Sequence, residues 1–221
     1  MFDHRQFSRL MKVALGNYHA GVIVDIEELE KQFAALSKFD LSSLIDDDLR
    51  KTFWINIYNG LTNYFIIRHG LKNSVWEVEN FFSALRVSIG GTHFSLDDIE
   101  HGILRKNGER KKGKSRQFET GNPKLKLMVK EFDPRIHFAL NCGSISCPPI
   151  AFYSAENIGK ELNLAEESFA LQEFKIIPDK LEIHCSEIFI WYQMDFPDTY
   201  LNSPDLKGFA VKPIPYQWTI H

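Results

Sequence analysis

The stretch from Leu49 to His69 most constrains what this chain can fold into. It reads as one long helix. Asp46, Asp47 and Asp48 offer an N-cap and a first turn whose charge suits the helix dipole, and Gly70 is a natural stop. Phe53, Trp54, Ile57, Tyr58, Leu61 and Phe65 cover most of its circumference, so the rest of the chain must wrap it. Thr52, Asn56, Asn59 and Asn63 interrupt this apolar surface. At about 100° per residue they share one stripe about 60° wide. A buried amide without a partner costs about 1–3 kcal/mol, so the stripe either ties down neighbouring backbone or lines a site.

The remaining elements are shorter. Phe7, Leu10, Met11 and Leu15, then Ile26, Leu29, Phe33 and Leu36, repeat at helical spacing and predict helices over 5–15 and 25–38. Gly90-Gly91 between 85–89 and 92–96 predicts a hairpin, and Ser95 with Asp98 predicts a capped short helix to about Arg105. Asn122-Pro123 opens a helix ending near Phe132. Residues 135–142 read as a buried strand running into a tight loop at 143–149. Ser154 starts a helix with Ile158, Leu162, Ala165 and Phe169 on one face. Residues 174–177 and 181–185 form a second hairpin, and Ser186 caps a short helix. The pattern predicts an α+β fold, with helices packed around a small, mainly antiparallel sheet. It is read as a single domain, with an N-terminal helical segment over 1–44 and a main compact unit over 45–221.

Composition narrows the function classes. With 44% hydrophobic and 25% charged residues, the chain is neither disordered nor a coiled coil. Lys and Arg number 26 against 29 Asp and Glu, so a grip on nucleic acid is not expected. The basic run from Arg105 to Arg116 reads as a solvated loop, and 106–120 as mobile and dispensable for folding. Neither a secretory h-region nor a membrane-length apolar stretch is visible, which predicts a cytoplasmic protein away from membranes. In that compartment Cys142, Cys147 and Cys185 are reduced by default.

The segment Arg135-Ile136-His137-Phe138-Ala139-Leu140-Asn141-Cys142-Gly143-Ser144-Ile145-Ser146-Cys147 carries the richest chemistry. Strand alternation would put Arg135, His137 and Asn141 on one face, beside a loop with Ser144 and Ser146. Histidine supplies a base near neutral pH, and Cys142 or Cys147 could reach it. The bland reading is a satisfied core histidine with two buried thiols. The C-x4-C spacing matches no zinc or thioredoxin-like motif, a reversible Cys142–Cys147 disulfide is an alternative without a supporting motif, and no metal or cofactor is expected. Asp97, His101 and Arg105 follow at four-residue intervals. They read first as a surface pairing, and as an oriented histidine otherwise.

Several of these segments resemble the domain-of-unknown-function 547 family. The resemblance rests on 53–59 (FWINIYN), 98–105 (DIEHGILR), 133–144 (DPRIHFALNCGS) and 146–149 (SCPP). Ile188-Phe189, Trp191-Tyr192, Asp195-Phe196 and Pro215-Tyr216-Gln217-Trp218 complete it, over about 45 to 220. Gly60 stands where the family usually has alanine. The resemblance implies a common fold and a shared residue cluster, in a family whose activity is not established. Two functional expectations follow. The first is a non-catalytic binding module for a small molecule or peptide, with a cleft around the Asn helix and the His-Cys loop. Arg135, Asn141, Ser144, Ser146, His101 and Arg105 would be its ligand contacts. The second is a thiol-dependent hydrolase or acyl transferase. Cys142 or Cys147 would be its nucleophile, His137 its base, and Asn56 or Asn59 an orienting group.

Overall fold

The computed structural model describes residues 2–109 and 115–220. Its centre is α3 (Asp47–Arg68), every residue of which is buried from Thr52 to Ile67. Asp46 caps it by accepting the Leu49 amide, and Gly70 follows with a positive φ of 66°. Two N-terminal helices, α1 (His4–His19) and α2 (Ile26–Leu36), lie where the apolar spacing predicts them, each capped by an aspartate. Phe7 of α1 packs against Gly60, where a Cβ would come within 2.5 Å of its ring. The close approach of α1 and α3 therefore uses the missing methyl.

After α3 come the short α4 (Phe81–Ala84) and the hairpin of β1 (Val87–Ile89) with β2 (Thr92–Phe94). Gly90 and Gly91 both take positive φ, as a two-residue turn with matching twist requires. Their amides donate to Leu36 O and Ser37 O, docking the turn on the end of α2. The predicted short helix is a π-helical turn, Asp98–Leu104, with the Arg105 amide reaching back to Glu100 O. Ser95 and Asp98 exchange the predicted capping hydrogen bonds.

The polar segment downstream differs from its expected form. Residues 135–142 are not a strand. Pro134–Phe138 form a 3-10 helix and the chain then runs irregularly through the cysteine loop. Asp133 accepts the Arg135 amide and Pro134 occupies the first helical position, a start signal that outweighs the alternating polarity. The predicted helix from Asn122 stops early, as a 3-10 turn over Pro123–Leu127. Asp47 accepts the Lys130 and Glu131 amides and Arg50 donates to Met128 O, so these backbone groups are bound by α3.

The dispensable loop is also narrower than expected. Asn107 and Phe118 exchange two hydrogen bonds at 2.9 and 2.7 Å, and both are buried. Residues 110–114 of that loop lie outside the described residues.

The C-terminal part begins with α5 (Ile158–Glu173), which starts four residues later than Ser154. It packs on a three-stranded sheet ordered β3 (Phe174–Ile177), β4 (Glu182–Ser186), β5 (Ala210–Ile214). The β3–β4 hairpin is antiparallel as predicted, while β5 is an added strand parallel to β4. Pro213 is tolerated there because β5 is an edge. Ser186 caps α6 (Glu187–Trp191). Phe138, Phe169, Ile183, Phe189 and Phe196 form a second apolar cluster beside the larger one around α3. The α+β class therefore holds, with two small sheets.

Gly102 of the π-helical turn tests this packing. A Cβ there would lie 2.3 Å from the Phe118 ring. Gly102→Ala should destabilise the protein by about 1–3 kcal/mol in urea unfolding. Adding Phe118→Leu should recover part of the loss. An unchanged midpoint in the single variant would contradict the packing.

Candidate functional site

Two buried amides of α3 each hold a stretch of irregular backbone in place. Asn59 donates to Ala139 O at 3.0 Å and accepts the Asn141 amide at 2.8 Å. Asn56 does the same for Tyr153, donating to its carbonyl at 2.8 Å and accepting its amide at 3.1 Å, and also donates to His4 Nδ1. The side-chain amides thus complete irregular backbone that no sheet or helix satisfies. Asn63 has no partner for its amide among the described residues. The stripe therefore divides between two loops, and Asn59 alone meets the His137 segment.

His137 leaves the 3-10 helix into a network of charge. Its Nε2 donates to Asp195 at 2.7 Å, and its ring stacks on Tyr192 at 3.7 Å. Arg105 clamps the same carboxylate through two hydrogen bonds of 2.7 and 3.0 Å. A further Arg105 nitrogen donates to His101 Nδ1 at 3.1 Å. Guanidinium only donates, so His101 accepts there and carries its proton on Nε2, facing Asp97 at 3.9 Å. His101 and Asp97 are both buried, so theirs is not the surface pair expected from spacing. The π-helical turn lines up Asp97, His101 and Arg105 toward the interior.

Glu100 stands beside this chain. Tyr192 donates to it at 2.6 Å and Tyr58 at 3.1 Å. Burial opposes its charge, but His101, the Tyr192 hydroxyl, His137 and Arg105 together hold its carboxyl below the ordinary glutamate range. Burial likewise opposes the charge on Asp195, and His137 and Arg105 outweigh it, so this carboxyl also lies low. For His137 the balance reverses: burial lowers its pKa despite Asp195 and Glu100. Burial raises Tyr58 and Tyr192 well above the ordinary phenol value.

The cysteine loop closes the other side. Gly143 at φ 89° turns the chain, and Cys142 and Cys147 pair as a disulfide with Cα atoms 6.3 Å apart. Two free thiols were the default expectation. The reversal at Gly143 brings the two sulfurs together. Cys185 is buried and unpaired, and burial pushes its thiol up to about 11. Tyr216 Oη lies 2.9 Å from each paired sulfur.

These groups surround a cavity of about 580 Å³, whose lining includes Glu100, His101, His137, Cys142 and Cys147. Trp76, Trp191, Tyr216 and Trp218 form its aromatic wall, with neighbouring ring centroids 4.7 to 4.9 Å apart across Trp76–Trp218, Tyr216–Trp218 and Trp191–Tyr216. A second cavity of about 460 Å³ lies beneath the loop and takes in Asn141, Ser144, Ser146 and Cys147. Asn141 donates to Pro148 O, and Ser146 accepts the Gln217 amide. Arg135 turns instead to Asp133, Gly159 O and Asn163, where it ties the 3-10 helix to α5.

The structure thus brings His101, Arg105, His137, Cys142 and Cys147 together, and leaves Asn56 and Arg135 in bracing roles elsewhere. Asp195, Glu100, Tyr192 and Tyr216 were not singled out from sequence, although all four stand in the quoted motifs. An isolated aspartate or tyrosine has no spacing that marks it.

The lowered pKa of His137 has a sign that can be tested. Below its unfolded value of 6.5 the unfolded chain takes a proton that the folded chain resists, so stability falls as pH drops through that range. His4, also lowered by burial, acts in the same direction. Each contributes a slope of at most about 1.4 kcal/mol per pH unit. Urea unfolding between pH 8 and 5 should show the loss, and His137→Gln should flatten it by one proton's share. An unchanged slope in that variant would assign the effect elsewhere.

No curated protein and no solved structure matches the chain significantly. The family model described as protein of unknown function, DUF547, matches residues 42–170. That span covers α3, the π-helical turn, the 3-10 helix with His137 and the cysteine loop, more than half of the chain, and the chain belongs to this family.

Proposed function

We propose that the chain is a binding module whose larger cavity takes a small organic molecule or the end of a peptide. The observation that carries this reading is the aromatic wall. Three of the chain's four tryptophans line one cavity, and Trp76 is 52% exposed there. Indole faces left to water are an incomplete packing surface that a flat or apolar ligand would finish. The floor supplies the polar end. Glu100 is an acceptor kept ionised by its surroundings, and Arg105 and Asp195 keep His137 in one orientation. A ligand with an apolar ring and a hydrogen-bonding head suits both surfaces.

Saturation-transfer NMR with small aromatic alcohols and amines, and with tripeptides ending in Phe or Tyr, tests the reading. At least one probe should bind saturably, and Trp218→Ala should weaken it about 5- to 30-fold, or 1–2 kcal/mol. A set without binders, or binding indifferent to both Trp191→Ala and Trp218→Ala, would remove the support.

A second reading, the thiol-dependent hydrolase, draws on Asp195 and His137. A carboxylate-oriented histidine that lines the same cavity as two cysteines supplies the residue types that nucleophilic catalysis uses. It requires the Cys142–Cys147 bond to be reduced first, because the thiolate is the nucleophile. Asn59 is an unsuitable oxyanion donor, since it is fully buried and lines neither of the two cavities. Reduced protein should then hydrolyse 4-nitrophenyl acetate with turnover, and folded His137→Ala should lose that activity. Equal rates in the two proteins would leave the binding module alone.

A further inference from the structure

We propose that Cys142 and Cys147 form a reversible dithiol–disulfide couple that exchanges with a thiol compound entering the larger cavity. This goes beyond ligand binding by the aromatic wall. Its first support is access. Cys142 and Cys147 both line the cavity, whereas Cys185 is buried in the second apolar cluster. A thiolate must reach one sulfur along the bond axis, and a disulfide sealed in a core offers no such path.

Its second support is the set of donors around the pair. Cys147 Sγ accepts the Cys142 amide at 2.9 Å, and Ser144 Oγ lies 3.5 Å and Tyr216 Oη 2.9 Å from it. Cys142 Sγ has the same two hydroxyls, Tyr216 at 2.9 Å and Ser144 at 3.7 Å, with no backbone amide among the described residues. Hydrogen bonds to sulfur favour the thiolate and make it the better leaving group. The asymmetry makes Cys147 the leaving sulfur and Cys142 the attacked one. The attacking thiolate forms a bond to Cys142 Sγ while the Cys142–Cys147 bond breaks, and its electron pair stays on Cys147 Sγ. A second thiolate attacks the incoming compound's sulfur in the mixed disulfide and releases Cys142 as thiolate. In sum, two thiols become one disulfide, and the protein disulfide becomes a dithiol after taking up two protons. The reverse sequence oxidises the pair with a small disulfide as oxidant.

Its third support is that the loop does not rely on the S–S bond. Asn141 Nδ2 joins Pro148 O at 2.8 Å, and Asn59 holds the Asn141 amide. The Ile145 amide donates to Thr219 O, and the Gln217 amide donates to Ser146 Oγ, both at 2.9 Å. These contacts hold the sulfurs near Tyr216 in either state. A bond spanning only five positions also restrains the unfolded chain less than a long-range one. The fold can therefore survive repeated opening and closing of the pair.

The test uses the full chain carrying Cys185→Ser. It is equilibrated with mixtures of glutathione and glutathione disulfide, quenched in acid, and its thiols are counted by maleimide mass tagging. The expected result is two thiols appearing together, at a rate proportional to glutathione concentration, while circular dichroism stays native. The melting temperature should fall by less than about 10 °C on reduction. Tyr216→Phe and Ser144→Ala should each slow reduction about 5-fold or more. Cys147→Ser should trap a glutathione adduct at Cys142, and Cys142→Ser should trap far less at Cys147. Reduction at a rate independent of glutathione and equal to global unfolding would overturn the proposal, as would loss of the fold on reduction. Equal adducts in both single-cysteine variants would overturn the assigned direction. Probe binding at the aromatic wall is read separately in the oxidised protein, so failure of one does not imply failure of the other.

Discussion

The Asn59 amide is the contact on which the site depends. It joins the most buried helix to the least regular backbone, bonding Ala139 O and the Asn141 amide. Between Phe138 and Asn141 the chain leaves a 3-10 helix and enters no other element, so its peptide groups need side-chain partners. A hydrophobic residue at 59 would leave both groups unpaired in the interior, where each costs about 1–3 kcal/mol. With the amide in place, His137 points toward Asp195 on one side of the clamp and Cys142 toward Tyr216 on the other. Both line one cavity because the backbone between them is pinned.

Charge completes what the clamp begins. Asp195, Arg105, His101 and Asp97 form a chain that sets a buried and a half-buried carboxylate and a buried guanidinium close to His137 and Glu100. Buried charges are tolerated only when paired and hydrogen-bonded, and here each carboxylate has a donor facing it. Such a network contributes little net stability, yet it orients rings. The His137 ring and the Arg105 guanidinium both lie against Tyr192, which fixes the floor of the cavity. The aromatic wall above it comes from three separate stretches, around Trp76, Trp191 and Trp218, drawn together by the C-terminal segment. Ser74 bridges to Thr219, and the Ile220 amide donates to Asn73 O.

The helices were legible in the sequence for reasons visible residue by residue. Asp46 acts as the cap it offers in the sequence, and the repeats of Phe7, Leu29 and Phe53 mark buried faces. The hairpin was legible from Gly90-Gly91. The segment after Asp133 was misread because alternating polarity at Arg135, His137 and Asn141 imitates a strand. Yet those side chains serve three different places: Arg135 a helix, His137 a carboxylate, Asn141 a loop carbonyl. The apparent surface pair of Asp97 and His101 was misread because four-residue spacing does not say which helix face is buried. Phe118 folds back over Gly102 and covers the turn.

By itself the sequence determined the central helix, the capped elements around it, the α+β class and the two segments that carry unusual polarity. These follow from local rules, since caps, turn glycines and apolar periodicity act within a few residues of one another. Only the tertiary structure decided that Asn59 clamps backbone, that Cys142 meets Cys147, and that Asp195 orients His137 across 58 positions. Those pairings are set by where the wrapped helix forces distant backbone to lie. Linear spacing records nothing of a contact whose partners meet only after the core has closed.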